Sequence, residues 1–272
     1  MNNQLNQKKI SEGEKAVEQY RTYWKTLESL PPTALEKILL SLDQQEQFQE
    51  FARFEKAVKI LFDQTHFKIV YITDSVEAFS GYTAQDFMSE NTNLFFNIIL
   101  SEHLDFALKA TQFTFEAKER IGIEPYKKNR LLIVCGIKAI KKNGQMCRLL
   151  IKFNPLEVNE LAVCQTALIT IEDVTFLMKS NFYWGRTSFG DNKEYKFHFI
   201  SNVEKDIKND IISDREKDVL RLLANGMESK EIAKELFISS GTVDNHRKNM
   251  IARTGARDTT ALLQLCLSCG II

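Results

Sequence analysis

A polar helix face between residues 239 and 255 carries the side chains best suited to binding chemistry. Ser239 can cap the N-terminus of a helix, and Gly255 can end that helix in a left-handed conformation. At about 100° per residue, Val243, Met250 and Ile251 fall on one apolar side. The opposite side is polar and rich in hydrogen-bond donors, and it comprises Asn245, Lys248, Asn249 and Ala252. A helix with one apolar side and one donor-rich side fits the DNA major groove.

Three more helices are predicted to position this face. Ser213 and Glu216 form a capping-box pattern that opens a helix ending at Asn225-Gly226. Ser229 is predicted to cap a short helix over Lys230–Leu236, and the last helix is predicted at about Asp258–Leu267. The spacing indicates a four-helix unit with a helix-turn-helix at its centre.

This C-terminal stretch resembles the LuxR-type (GerE-type) DNA-binding domain over about sixty residues. The positions that carry the resemblance are Ile212-Ser213-Asp214-Arg215-Glu216, Gly226, Ser229-Lys230-Glu231-Ile232-Ala233, Leu236-Phe237-Ile238-Ser239, Thr242-Val243 and His246. Their order and spacing make the match far more specific than a bare helix-turn-helix pattern. The resemblance implies that the third helix of the unit enters the major groove.

The resemblance also implies which residues contact DNA. The implied DNA-binding set is Lys230, Thr242, Asp244, Asn245, His246, Arg247, Lys248 and Asn249. By motif position, the base-facing members are Asp244, Asn245 and Lys248. The members near phosphates are Lys230, Thr242 and His246.

Two members of this set are unusual for the family. Arg247 stands where the family has an apolar residue, and its stem is expected to cover apolar surface while its guanidinium reaches solvent or phosphate. Asp244 repels the DNA backbone but can accept from cytosine, which favours selectivity over affinity. From residue 211 onward there are nine basic and eight acidic residues, a net charge of +1. Such weak positive charge indicates weak binding per monomer and a dimer on paired half-sites.

Length and composition limit the class of protein. At 272 residues the chain is expected to form about two domains, and its net charge of zero excludes a polybasic protein. Five cysteines and no secretory pattern at the start predict reduced thiols in a cytoplasmic protein. Because no apolar run approaches the roughly 20 residues needed to span a bilayer, no membrane partner is expected.

Upstream of the helix-turn-helix, the pattern predicts helices followed by an α+β unit. Helices are predicted in the first 45 residues and over about Glu50–Phe62. The later elements are a strand at Lys68–Thr73, short helices to Thr111, strands at Arg130–Lys141, Met146–Asn154 and Cys164–Glu172, and a strand around Tyr195–Phe199. Asn143-Gly144 between two apolar runs is the strongest hairpin signal in the chain.

The α+β unit resembles a PAS domain. The resemblance rests on Ile72 through Gly81-Tyr82-Thr83, on His103 with Asp105, and on Ile171-Glu172-Asp173-Val174-Thr175. It implies an antiparallel sheet with short helices, preceded here by N-terminal helices and followed by the all-α four-helix domain. The predicted divisions are an N-terminal helical region (1–62), a PAS-like domain (63–175), an aromatic-rich extension and linker (176–210) and the LuxR-type domain (211–272). The aromatic extension either adds to the sheet or packs between domains.

Catalytic and cofactor motifs are not found in the sequence. Cys266 and Cys269 lack the further ligands of a zinc site and are predicted to be small apolar filler. His103 is expected to belong to a turn rather than to hold haem, and the stretch Glu90–Phe96 lacks the cysteine that a flavin photocycle requires. No phosphate loop, nucleophile elbow or zinc-protease motif occurs, so neither an enzyme nor a cofactor is predicted.

The sequence therefore predicts a DNA-binding transcription regulator. Its expected partners are double-stranded DNA through the major groove and a second copy of the chain, with RNA polymerase as a further candidate. The PAS-like domain is expected to sense a signal, to dimerise, or both, and whether it holds a small molecule is left open. The alternative is a PAS-based interaction module with weak or no specific DNA binding, which the near-neutral charge favours.

Overall fold

The computed structural model describes residues 56–90, 92–128, 131–179, 182–190, 195–200 and 210–272. Only the backbone is described for residues 115, 120, 125 and 195–200. The helices predicted in the first 45 residues lie outside this part of the chain. The described residues form a seven-stranded antiparallel sheet with helices on one face and a helical C-terminal domain on the other.

The sheet has the order β2-β1-β5-β4-β3-β6-β7. Its strands are β1 Val58–Asp63, β2 Lys68–Ile72, β3 Leu131–Ile140, β4 Met146–Val158, β5 Cys164–Asp173, β6 Trp184–Phe189 and β7 Tyr195–Ile200. The predicted hairpin is confirmed, because β3 and β4 pair with Ile140 opposite Met146. Strands β6 and β7 extend the sheet beyond β3, so the aromatic extension adds to the sheet.

Among the described residues, four short helices and one helix of 21 residues cover one face of the sheet, where the PAS resemblance predicts helices. They are α1 Ser75–Ser80, α2 Ala84–Glu90, α3 Thr92–Ile98, α4 Ser101–Ile121 and α5 Ile123–Lys127. We refer to residues 58–200 as the sheet domain. The predicted fold class, an antiparallel sheet with short helices plus a helical C-terminal domain, is confirmed.

Strand β3 divides its side chains between two hydrophobic cores. Leu132 and Val134 face the helices of the sheet domain, whereas Ile133 and Cys135 face the C-terminal domain. A bulge at Gly136 (φ +85°) then shifts the register against β4. A Cβ atom at Gly136 would lie 2.6 Å from the carbonyl oxygen of Phe182, so only glycine permits this close approach.

The C-terminal domain, residues 210–272, contains the four helices that the sequence predicts. They are α6 Asp214–Ala224, α7 Ser229–Glu235, α8 Ser240–Thr254 and α9 Thr259–Ser268. Ser213 and Glu216 make both hydrogen bonds of the predicted capping box on α6. Apolar side chains from all four helices form one core, with Leu220, Ile232, Val243 and Leu262 fully buried.

Two predictions are wrong in detail. The helix predicted over residues 50–62, part of the predicted N-terminal helical region, is not a helix at 58–62, because these residues pair in β1 with both neighbouring strands. The apolar run Ile60–Phe62 is too short for its periodicity to separate a strand from a helix, and the pairing within the sheet decides between them. The cap of α7 is Glu228, which makes a capping box with Glu231, and not Ser229. The Ser229 hydroxyl donates to Asp244 instead.

Candidate nucleic-acid interface

Helix α8 presents the predicted donor-rich face. Its N-terminus is capped by Ser239, whose hydroxyl accepts a hydrogen bond from the Thr242 amide at 3.0 Å. Gly255 ends it in the left-handed conformation at φ 71°. Val243 and Met250 are fully buried and anchor the helix, which fixes the direction of its outward side.

The predicted DNA-binding residues do not share one environment. Lys230, Asn245, Lys248 and Asn249 are exposed, which leaves their donors free to reach an incoming partner. The remaining members are half-buried, and they are Thr242, Asp244, His246 and Arg247. The structure thus brings Asn245, Lys248 and Asn249 to the outer surface of α8, whereas Lys230 lies on the preceding helix α7.

Arg247 makes contacts inside the domain. Its guanidinium donates to the hydroxyls of Ser229 at 3.1 Å and Thr259 at 2.8 Å. The same group lies 3.4 Å from the Asp244 carboxylate, which also accepts from Ser229 at 2.8 Å. These bonds join α7, α8 and α9, and they compensate the charge of Asp244. The arrangement differs from the expectation that the Arg247 guanidinium reaches solvent or phosphate.

The C-terminal end of α8 is docked on the sheet domain. The indole of Trp184 donates to the carbonyl of Thr254 at 3.1 Å. The Lys179 amide donates to the Gly255 carbonyl at 3.1 Å, and the Arg257 amide donates to the Leu177 carbonyl at 2.8 Å. These bonds lie at the edge of a hydrophobic core that both domains share. The docking fixes one end of α8 while its polar face stays exposed.

A buried ion triad joins the two domains beside this core. The Arg186 guanidinium on β6 donates to both carboxylate oxygens of Asp210, at 2.7 and 3.2 Å. The ammonium of Lys217 on α6 lies 2.9 Å from the same carboxylate. The side chains are only 2% (Arg186), 7% (Asp210) and 6% (Lys217) exposed. Burial alone would raise the pKa of Asp210, but the bonds and charges of its two partners outweigh it and lower the pKa.

Three of the described side chains in the shared core are thiols. Cys266 and Cys269 are each 1% exposed and pack with sheet residues such as Cys135. Burial raises the pKa of Cys266 to about 12, so the thiol stays protonated at neutral pH. Among the described residues, no cluster of metal-ligating side chains is found.

The sequence did not reveal the docking residues. Arg186, Asp210 and Lys217 are separated by 24 and 7 positions, and no local periodicity links them. The aromatic run Phe182-Tyr183-Trp184 was the available signal, since large aromatic side chains in a nominal linker require burial. Tyr183 packs on His103 with ring centroids 4.2 Å apart, and Trp184 packs toward the opposite side on α8.

Comparison with known proteins identifies the C-terminal domain. Residues 210–266 match the family of bacterial regulatory proteins called the luxR family. This segment is a LuxR-family domain. The transcriptional regulatory protein MctR of Rhizobium johnstonii is 40% identical over 63 residues, which is 23% of this chain and 29% of MctR. The oxygen regulatory protein NreC of Staphylococcus aureus is 35% identical over 74 residues, 25% of this chain and 34% of NreC.

The chain spans about a third of the length of each of these curated relatives. Among solved structures, the LuxR-type receptor VqmA of Vibrio cholerae aligns over 84% of this chain and 88% of its own, with 15% identity and a TM-score of 0.33. A PAS domain from a two-component sensor histidine kinase aligns over 51% of this chain and 98% of its own, with 12% identity and a TM-score of 0.32. No helix in the described part of the chain has the length and apolar character required to cross a membrane.

Proposed function

We propose that this protein is a sequence-specific transcription regulator that reads DNA with helix α8 and receives its signal through the sheet domain. The observation that carries the proposal is the exposed Asn and Lys face of α8 on a LuxR-family domain. Asn245 and Lys248 are the proposed contacts to base edges, and Lys230 and Asn249 are exposed as well. Thr242 and His246 are half-buried on α8 and are the proposed neighbours of the phosphate backbone.

Arg247 and Asp244 have a linked role in this proposal. The Arg247 cation stands 3.4 Å from the Asp244 carboxylate, so the repulsion between Asp244 and phosphates is reduced. Asp244 remains 49% exposed and is available to accept from a base. We assign Arg247 to positioning Asp244, a different role from direct phosphate binding.

Dimerisation on paired half-sites completes the proposal. The near-neutral charge of the C-terminal domain supplies few phosphate contacts per copy, and two linked copies add their contacts. A homodimer bound to an inverted repeat is therefore the proposed DNA-binding form. RNA polymerase is the proposed target of the bound dimer.

Sequence selection on random double-stranded DNA at two salt concentrations tests the function. A regulator enriches one inverted repeat, and its affinity for that repeat falls steeply with salt. Unselective, salt-sensitive binding would point to an interaction module whose C-terminal domain contacts DNA only weakly.

Point variants at the proposed DNA-contacting residues, measured on the selected repeat, test how α8 and α7 recognise DNA. Lys248→Ala should weaken specific binding by about 1–3 kcal/mol and relax one base position. Lys230→Ala should weaken binding to all sequences more evenly and lower the salt slope by about 1. Lys142→Ala, an exposed lysine in the β3–β4 turn, serves as the matched control and should bind normally. Equal losses on all sequences for Lys248→Ala would contradict base reading.

A further inference from the structure

A cavity of about 110 Å³ lies between the sheet and helices α3 and α4. Fifteen of its lining side chains are apolar, and the three polar ones are Gln64, Thr92 and Thr111. No charged side chain of the described residues lines it. The cavity is thus suited to an uncharged occupant, because an ion would lose its hydration without gaining a charged partner.

The three polar side chains differ in their hydrogen bonding. The Thr111 hydroxyl donates to the Ala107 carbonyl at 2.9 Å. In contrast, both polar atoms of the Gln64 amide and the Thr92 hydroxyl have no hydrogen-bond partner in the described structure. Gln64 and Thr92 are each 3% exposed, so bulk water does not replace the missing partners. Buried amides and hydroxyls without partners are costly and rare in folded proteins.

We propose that this cavity binds a small, uncharged and largely apolar molecule that carries a hydrogen-bond donor beside an acceptor, as a cyclic amide does. The Gln64 amide has one acceptor and donors on adjacent atoms, so it pairs with such a group in both directions. The Thr92 hydroxyl supplies a further donor or acceptor. An apolar cavity of about 150 Å³ holds benzene, so the smaller cavity of about 110 Å³ fits a molecule of at most roughly six non-hydrogen atoms.

The proposal deepens the sensing role of the proposed function and rests on that role for its biological meaning. Strand β3 links the cavity to the DNA-binding domain. Leu132 and Val134 line the cavity, and the alternate residues Ile133 and Cys135 pack against the C-terminal domain. A ligand that shifts β3 therefore acts on both sides of a single strand.

The test compares two probes of equal size on the full chain without DNA. 2-Pyrrolidinone has a donor beside its acceptor, whereas cyclopentanone keeps the carbonyl and lacks the donor. Calorimetric titration gives the ratio of their dissociation constants for the wild type and for Gln64→Met, which removes the amide at similar length. Gln85→Met, an exposed glutamine on α2, is the matched control.

We expect the preference for 2-pyrrolidinone to be about three- to tenfold larger in the wild type and in Gln85→Met than in Gln64→Met. If Gln64→Met does not fold, Thr92→Val provides the same comparison. Equal preference in all variants, or no binding of either probe at millimolar concentration, would overturn the proposal. Because no DNA is present, a failed ligand site is distinguished from a failed DNA-binding role.

Discussion

The two faces of the sheet differ in how their buried polar side chains are paired. On the face that carries the C-terminal domain, Asp210 is paired with Arg186 and Lys217, and the Trp184 indole has its carbonyl acceptor. On the face that carries the cavity, Gln64 and Thr92 have no partner in the described structure. On the first face the chain supplies a charged partner for each buried ion, although the Nη1 of Arg186 has no hydrogen-bond partner in the described structure. On the second face the unpaired groups are neutral and line a cavity, so they suit an external molecule.

This difference indicates different roles for the two faces. Paired polar groups in a buried interface fix one orientation of the docked domain, which holds α8 in place. Unpaired polar groups in a cavity raise the free energy of the empty state and favour occupancy. Opposite effects are therefore expected when a polar group is removed from one face or from the other.

The largest expected effect comes from removing the shared acid of the docked face. Asp210→Asn leaves the buried Arg186 without its carboxylate and leaves Lys217 with its bond to the exposed Asp214 at 3.0 Å, which should lower the free energy of unfolding by about 3–5 kcal/mol. Chemical denaturation measures this loss. Asp218→Asn removes an acid that pairs with Arg221 on the exposed side of α6, at 3.2 Å, and is the matched control. The control should change stability by less than about 1 kcal/mol. Similar effects in both variants would mean that the triad does not hold the domains together.

Lowering the pH should destabilise the same interface by less than the Asp210→Asn substitution does. The pKa of Asp210 is lowered in the folded protein, so its contribution to stability is present above the ordinary aspartate value of about 3.9 and lost as the pH falls below it. Other carboxylates with lowered pKa values, including Glu216, lose stability in the same range. The wild type should therefore show a steeper acid loss than Asp210→Asn in urea titrations at stepped pH. Parallel profiles would contradict the assignment.

The smallest effect on the free energy of unfolding is expected on the cavity face, where removal of a polar group should stabilise the protein. Thr92→Val keeps the shape of the side chain and removes an unpaired hydroxyl, so it should stabilise the unliganded protein by about 1 kcal/mol. Thr111→Val is the matched control, because the hydroxyl of Thr111 is paired with Ala107 in the same cavity. Thermal unfolding should show a gain only for Thr92→Val. A loss for both variants would show that the two faces do not differ.

Local signals predicted the C-terminal domain well. Its caps, its apolar spacing and its glycine stop are all short-range features, and Ser213, Ser239 and Gly255 act as the sequence predicts. In the sheet domain, the Asn-Gly hairpin and the strands β3, β4 and β5 were also predicted. Residues 58–62 were not, because an apolar run of this length has no period that separates a strand from a helix.

The remaining features depend on contacts between distant residues. Arg247 looked like a departure from its family because its partners, Ser229 and Thr259, lie on two other helices. Gln64 gave no signal either, since a glutamine in a turn is ordinary until the surrounding cavity is known. Burial and pairing are properties of the folded chain, and they decide the roles of these residues.

In the proposed mode of action, the docked C-terminal domain binds DNA without leaving the sheet. The chain has two tryptophans. Trp184 is bonded to α8, and Trp24 lies outside the described residues. The direct test is the emission maximum of Trp184 in a Trp24→Phe protein, measured with and without the selected operator. We predict that the maximum keeps its buried, short-wavelength position while DNA binds. A shift to longer wavelength on binding would show that α8 must undock to read DNA, and would contradict the account.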